Sequence, residues 1–223
     1  MSDTLSRKPI AFHQLAPSGI NESLIAAAVN GVAPISIEPL REDSPLGQPM
    51  LTDRAIEVIF AACFEPAIER SNSASSLREL VGKRLSIAPI TVKNYLYLSY
   101  PKLDCTDLAS AVARIICLMG RMPEKDHLEI IRGDIKTMNN LPNRQKQAAL
   151  AVGMTALVNG KVTRSSVART LFISESTVAN TLSRVYGALG NNANMARASV
   201  ASLLAYTNIA DSSPNISDAL ING

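Results

Sequence analysis

The chain has 223 residues, a formal net charge of +3 and 47% hydrophobic residues, with only 4% aromatic residues. This length allows two small domains rather than one large one. No run of alternating β-branched residues is long enough for a sheet. No apolar run approaches the roughly 18 residues of a membrane span, and the N-terminus lacks a signal-peptide core. Three cysteines in mostly apolar surroundings suggest reduced thiols, so we expect a cytoplasmic, all-α protein.

The first fifty residues hold half of the chain's twelve prolines: Pro9, Pro17, Pro34, Pro39, Pro45 and Pro49. Proline lacks a backbone N–H and disfavours regular elements. We therefore expect residues 1–50 to form an extended N-terminal segment, with one short helix over residues 22–29 capped by Asn21.

Residues 51–120 are predicted to form a first helix-turn-helix domain. Ser76 and Glu79 have the spacing of a capping box, and Pro89 favours the start of the next helix. The apolar stripe of that helix consists of Val92, Leu96, Ser99, Tyr100 and Leu103. Because Ser99 interrupts the stripe and Pro101 stops or kinks the helix, this domain is interpreted as degenerate.

Residues 121–140 are predicted to form a linker helix from about Glu124 to Met138, and residues 141–206 a second helix-turn-helix domain. Thr163 caps a short helix over residues 164–171, and Ser174 caps the helix that follows. The apolar stripe of that helix consists of Val178, Leu182, Val185, Tyr186 and Leu189. Two short helices joined by a tight turn are typical of a helix-turn-helix. The polar tail, residues 207–223, is expected to be flexible.

The two domains contain an internal repeat, because residues 85–103 and 171–189 align end to end. The matched pairs are Leu85 with Leu171, Ile87 with Ile173, Thr91 with Thr177, Val92 with Val178, Asn94 with Asn180, Leu96 with Leu182, Tyr100 with Tyr186 and Leu103 with Leu189. A repeat of this kind indicates two versions of one supersecondary unit.

The sequence LFISESTVANTLSRVYGALG resembles the C-terminal DNA-binding domain of LuxR/GerE-type bacterial regulators, which has a turn ending in I-S, then T-V-x-N or T-V-x-x-H, then a late Tyr and Leu. The resemblance covers about residues 51–119 and 141–206. Both copies are longer than the family pattern between the opening Leu and the shared Thr. We expect the extra residues around 66–75 and 158–162.

The resemblance implies an all-α fold with two tandem four-helix LuxR-type helix-turn-helix domains joined by the linker helix. The fourth helices, at residues 108–119 and 195–206, are expected to pack together as an intramolecular pseudo-dimer or to form a homodimer. The N-terminal segment is too small for the sensor domains that many family members have.

The resemblance also implies that the outer face of each third helix enters the DNA major groove, and the positions opposite the apolar stripes are the same ones. These positions are Lys93, Asn94 and Tyr97 in the first copy, and Ala179, Asn180 and Ser183 in the second. Asn suits adenine and Lys suits guanine, whereas Ala offers only apolar contact, for instance to a thymine methyl. The candidate DNA-binding set is completed by Ser176 and by the phosphate-facing Thr91, Thr177, Arg164, Arg169 and Arg184.

Charge favours the second copy as the stronger DNA binder. Residues 141–200 contain seven basic side chains and one acidic one, whereas residues 51–120 contain eight basic and seven acidic ones. Phosphate neutralisation supplies most non-specific affinity for DNA. The first copy is therefore expected to bind DNA weakly or to bind protein instead.

Catalysis finds little support, because the two histidines, His13 and His127, lie far apart and no metal-ligand spacing or phosphate-binding glycine loop is present. We expect no enzyme activity, no cofactor and no metal. The prediction is a bacterial transcriptional regulator, more probable as an activator, that binds double-stranded DNA and contacts RNA polymerase or another regulator. The alternative is a protein-interaction module that acts as a co-activator or anti-activator. The segment LPNRQ also resembles the start of sigma-factor region four.

Overall fold

The structure, a computed structural model, describes residues 51–68, 76–190, 192–207 and 214–222. Within these ranges the chain is helical and has no strands, so the all-α prediction is confirmed for this part of the chain. The helices are α1 (Asp53–Ile68), α2 (Leu77–Leu85), α3 (Pro89–Lys102), α4 (Leu108–Met119), α5 (Lys125–Asn139), α6 (Asn143–Asn159), α7 (Arg164–Leu171), α8 (Glu175–Leu189), α9 (Met195–Tyr206) and α10 (Pro214–Asn222). The predicted N-terminal segment and its short helix lie outside the described residues.

The predicted caps of α2, α7 and α8 are present. The Ser76 side chain accepts from the Glu79 N–H at 3.4 Å, and the Glu79 carboxylate accepts from the Ser76 N–H at 2.7 Å. Thr163 caps α7 and Ser174 caps α8 in the same way, each accepting from the backbone N–H three residues later. These contacts satisfy N–H groups that have no partner inside the helix.

Helices from both halves share one hydrophobic core, to which α1, α4, α5, α6, α7, α8, α9 and α10 contribute buried side chains and on which α3 packs. Helix α2 packs instead in a smaller cluster through Val81, with Val58 of α1 and Val92 of α3. Helix α4 packs against α6 and α9, and α9 also packs against α5 and α6. Helices α6 and α9 approach each other closely at Gly153, because a Cβ added to this residue would lie 2.6 Å from the Ser202 Oγ on α9. Residues 108–119 and 195–206 therefore contact each other within one chain.

Two hydrogen bonds donated by backbone N–H groups join the two halves at a second place, next to Gly160. The Thr106 N–H donates to the Gly160 carbonyl at 2.8 Å, and the Val162 N–H donates to the Asp107 carboxylate at 2.8 Å. Gly160 has a φ of 63°, and a Cβ there would lie 2.2 Å from the Asp104 carbonyl oxygen. Only glycine fits this position, because other residues would combine backbone strain with a clash.

Helix α5 agrees with the predicted linker helix to about one residue at each end, but it is also part of the core. Leu128 and Ile131 are buried. Asp134 forms a buried ion pair with Arg197 on α9, with the two guanidinium nitrogens 2.9 and 2.6 Å from the carboxylate oxygens. The helix therefore fastens α9 as well as connecting the two copies.

The expectation of a flexible tail over residues 207–223 is wrong for its described part, residues 214–222. These residues form α10, whose Ile216 is fully buried in the shared core. The Arg132 guanidinium on α5 donates to the carbonyls of Ala219 and Leu220 at 2.5 and 3.0 Å. We predicted a flexible tail because most of its residues are polar, but its few apolar side chains are enough for one short helix to pack on the core. Among the described residues, no helix is both long and apolar enough to cross a bilayer.

Candidate nucleic-acid interface

The second and third helices of each copy are joined by the same turn. Ser86 after α2 has φ 53° and ψ 43°, and Phe172 after α7 has φ 54° and ψ 42°. Both are left-handed conformations that residues other than glycine seldom adopt. In both copies the next N–H donates back to α2 or α7, from Ile87 to the Gly82 carbonyl at 2.9 Å and from Ile173 to the Ala168 carbonyl at 3.1 Å. The internal repeat therefore corresponds to a repeated backbone turn.

Helix α8 has one buried face and one exposed face, as its sequence predicts. Val178, Leu182, Val185 and Leu189 are buried, and Tyr186 is half-buried. Three predicted DNA-binding residues on this helix, Asn180, Ser183 and Arg184, are exposed, and Ala179 is half-buried. The face opposite the core therefore presents one amide, one hydroxyl and one guanidinium to solvent.

Two predicted hydroxyl contacts lie in the N-terminal cap of α8. The Ser174 Oγ accepts from the Thr177 N–H at 3.2 Å and lies 2.9 Å from both the Ser176 Oγ and the Thr177 Oγ1. Ser176 is exposed and Thr177 is half-buried. Their hydroxyls hold the start of the helix, although each retains capacity for a further hydrogen bond.

Exposed cations lie on and just before α7, the helix that precedes α8, but they are fewer than the sequence count suggests. Arg164 and Arg169 are exposed on α7, and Lys161 is exposed just before it. Arg197, which we counted among the seven basic residues, is only 4% exposed and is paired with Asp134. It contributes to folding and not to the charge of the surface.

Helix α3 presents a different surface. Lys93, Asn94 and Tyr97 are exposed and Thr91 is half-buried. The same helix also exposes Ile90 to 60% and Leu98 to 64%, and Tyr97 is 74% exposed. The first copy therefore combines its predicted base-contacting residues with an exposed apolar surface of Ile90, Tyr97 and Leu98, which the sequence analysis did not identify.

Tyr100 and Tyr186, predicted as core aromatics, are half-buried and pack against the shared core. Burial raises the pKa of Tyr100 to about 12. Burial likewise raises the pKa of Tyr186, and the nearby Arg164 charge offsets part of this effect. Arg164 on α7 therefore lies near Tyr186 of α8, in line with the packing of these two helices against each other.

Sequence reasoning missed a buried polar group at the meeting point of α1, α2 and α5. Glu65 and His127, which lie 62 residues apart in sequence, approach within 3.1 Å. No local spacing indicates such a pair. The only available sign was that His127 lies four residues before Ile131 and next to Leu128, on the apolar side of α5.

Comparison of the chain with protein-family models, with curated proteins and with solved structures finds no match. The resemblance to LuxR/GerE-type regulators thus depends on the quoted residues alone.

Proposed function

We propose that the protein is a bacterial transcriptional activator of the LuxR/GerE type that binds double-stranded DNA through α8. The observation that supports this proposal best is the exposed face of Asn180, Ser183 and Arg184 directly after a helix-turn-helix turn. A helix held by its apolar stripe and exposed along a polar stripe suits insertion into the major groove.

The side chains suggest separate tasks. Asn180 can present its amide to adenine, and Ala179 and Ser183 flank it with an apolar contact and a hydroxyl. Arg164, Arg169 and Arg184 suit phosphates, which position a protein without specifying sequence. The contact between α4 and α9 suggests that one chain acts as a pseudo-dimer and presents two recognition helices.

Selection from a random DNA library by the full-length chain tests the proposal without a known promoter. We expect enrichment of a discrete sequence. In mobility shifts on that sequence, Asn180→Ala should lose about 1–3 kcal/mol of discrimination at one base pair. Arg184→Ala should weaken binding to all sequences and lower the slope against log salt by about 1.

Lys136→Ala is the matched control for charge, because Lys136 is exposed on α5, outside both helix-turn-helix copies. It should retain both affinity and sequence preference. If no sequence is enriched, or if the Asn180→Ala and Arg184→Ala double variant keeps the same sequence preference, α8 does not recognise DNA as proposed.

A second candidate function, protein binding by the first copy, is favoured by the exposed apolar surface of α3. Ile90, Tyr97 and Leu98 expose large apolar surfaces on one helix, and contiguous exposed apolar surface commonly marks a protein interaction site. Such a surface fits the alternative of a co-activator or anti-activator that binds RNA polymerase or another regulator.

The two functions of α3 predict opposite results for two double variants. If α3 binds DNA, Lys93→Ala with Asn94→Ala should weaken binding to the selected DNA, whereas Ile90→Ser with Leu98→Ser should change it little. If α3 binds protein, the apolar double variant alone should lose binding to purified RNA polymerase in a pull-down.

A further inference from the structure

A group of charged side chains from three helices encloses a buried imidazole, and we name it the His127 cluster. Its members are Glu65 on α1, Arg84 on α2, and Glu124 and His127 at the start of α5. His127 is 2% exposed and Glu65 is 8% exposed. The His127 ring also lies against Phe64, with 5.3 Å between the ring centroids. The imidazole is therefore removed from water on its apolar side.

The hydrogen bonds of His127 leave one buried nitrogen without a partner. Its Nε2 lies 3.1 Å from the Glu65 Oε1. A carboxylate only accepts, so the Nε2–H donates in this contact and Nδ1 is the other ring nitrogen. That Nδ1 is buried, makes no hydrogen bond and lies 3.9 Å from the Glu124 Oε1. A buried ring nitrogen therefore faces a carboxylate oxygen beyond hydrogen-bond distance.

The cluster also has more negative than positive charge. The Arg84 guanidinium lies 3.3 Å from the Glu65 Oε1, 2.5 Å from the Glu124 Oε1 and 3.3 Å from the Asp126 Oδ2. One guanidinium thus serves three carboxylates in this region of the described chain. A partly buried site with an unpartnered ring nitrogen and excess carboxylates favours a further cation.

We propose that Glu65, Glu124 and His127 bind a divalent transition-metal ion, with zinc as the best match. One possible ligand atom from each of the three residues lies within 4.8 Å of the others. Ligand atoms around a tetrahedral zinc ion are about 3.4 Å apart, so the side chains must close by about 1 Å. One imidazole with two carboxylates suits zinc, whereas magnesium prefers oxygen ligands only.

The ion must replace Arg84, and the surroundings allow this exchange. The Arg84 side chain is 35% exposed and Glu124 is 54% exposed, so both can move at the surface. A cavity of about 660 Å³, lined by Arg84, Glu124 and His127 among others, gives access to the cluster. Water from this cavity can supply the fourth ligand.

Titration of the chelator-treated full-length chain with Zn²⁺ by calorimetry tests the site. We expect saturable binding of one ion per chain. Glu124→Gln should weaken binding about tenfold or more, since it removes one anionic ligand. Glu124 is exposed, and its side chain makes no capping hydrogen bond, so this variant should keep the fold. Arg84→Gln should tighten binding, because it removes the internal competitor.

Glu129→Gln is the matched control, because Glu129 is exposed on the same helix outside the cluster; its affinity should equal that of the wild type. Mg²⁺ should not compete, and Co²⁺ should give the visible absorption of a tetrahedral complex. Absence of saturable Zn²⁺ binding, equal affinities of the Glu124→Gln and Glu129→Gln variants, or unchanged affinity of Arg84→Gln would each overturn the proposal. None of these readouts involves DNA.

Discussion

Arg114 joins the two halves of the molecule by donating to four backbone carbonyls. Its guanidinium lies 2.7 Å from the carbonyl oxygens of Leu103 and Asp104, and 3.0 Å from those of Leu157 and Val158. The side chain is only 8% exposed. Arg114→Met keeps the length of the side chain but leaves buried carbonyls without a donor, so it should cost about 3 kcal/mol or more of the free energy of unfolding.

Urea denaturation of this variant gives the measurement, and Arg121→Met is its control. Arg121 pairs with Asp53 at the surface, where both side chains are more than half exposed. Its replacement should cost less than about 1 kcal/mol. Equal losses in the two variants would show that the carbonyl contacts of Arg114 contribute little.

The buried thiols predict a loss of stability at alkaline pH. Burial raises the pKa of the Cys105 thiol to about 12, and burial also raises the pKa of Cys63. In the unfolded chain, the thiols have a pKa of about 8.5. Above that pH the unfolded chain has lost protons that the folded chain retains, so stability is complete below about pH 8.5 and falls as pH rises towards the folded pKa.

Each such thiol should cost about 1 kcal/mol at pH 9.5 relative to pH 7. Urea midpoints at pH 7, 8.5 and 9.5 measure the effect, and Cys105→Ala should show a shallower decline than the wild type. An identical decline in the two proteins would assign the pH dependence to other groups.

Local patterns in the sequence predicted single residues well, whereas contacts between distant residues escaped them. Ser76, Thr163 and Ser174 cap their helices because a cap depends on the next three residues alone. Arg114 and Arg197 bind partners more than 40 residues away. Spacing says nothing about such pairs, and for this reason Arg197 was counted as a surface cation.

At the level of elements, exchanging the equivalent residues Gly82 and Ala168 tests how tightly the two helix-turn-helix turns are packed. A Cβ added to Gly82 would lie 2.6 Å from the Ile87 carbonyl oxygen, although Ala168 occupies the equivalent place in the second copy. Gly82→Ala should therefore cost about 1–3 kcal/mol through crowding of the turn. Ala168→Gly should cost about 1 kcal/mol, because glycine is less favourable within a helix.

Denaturation of both variants, with hydrogen exchange over α2 and α3, would check this difference. If Gly82→Ala is neutral, the first turn can relax to the geometry of the second.

The sequence predicted both turns and both apolar stripes because these depend on neighbours along the chain. It did not predict the apolar surface of α3, because Ile90 and Leu98 fall on the same helical face as Lys93, Asn94 and Tyr97, which were assigned to DNA.

At the level of the whole molecule, the interpretation as two domains joined by a linker differs from the packing. The shared core includes Phe64 and Ile115 from the first half and Leu157 and Leu203 from the second. Separate domains would each need a complete core. The sequence could not reveal this sharing, because an apolar helix face looks the same whether its partner lies in its own domain or in the next.

A shared core predicts one cooperative unfolding transition. Ile115 is fully buried on α4, and Ile115→Ala should lower the free energy of unfolding by about 2–5 kcal/mol. Because α4 packs against α6 and α9, both halves should lose protection from hydrogen exchange together, and calorimetry should show one transition with equal calorimetric and van't Hoff enthalpies. Lys136→Ala should leave the midpoint unchanged. Two transitions, or loss of protection confined to α1–α4, would instead mean that the halves fold independently, and the two third helices would then lack a fixed separation.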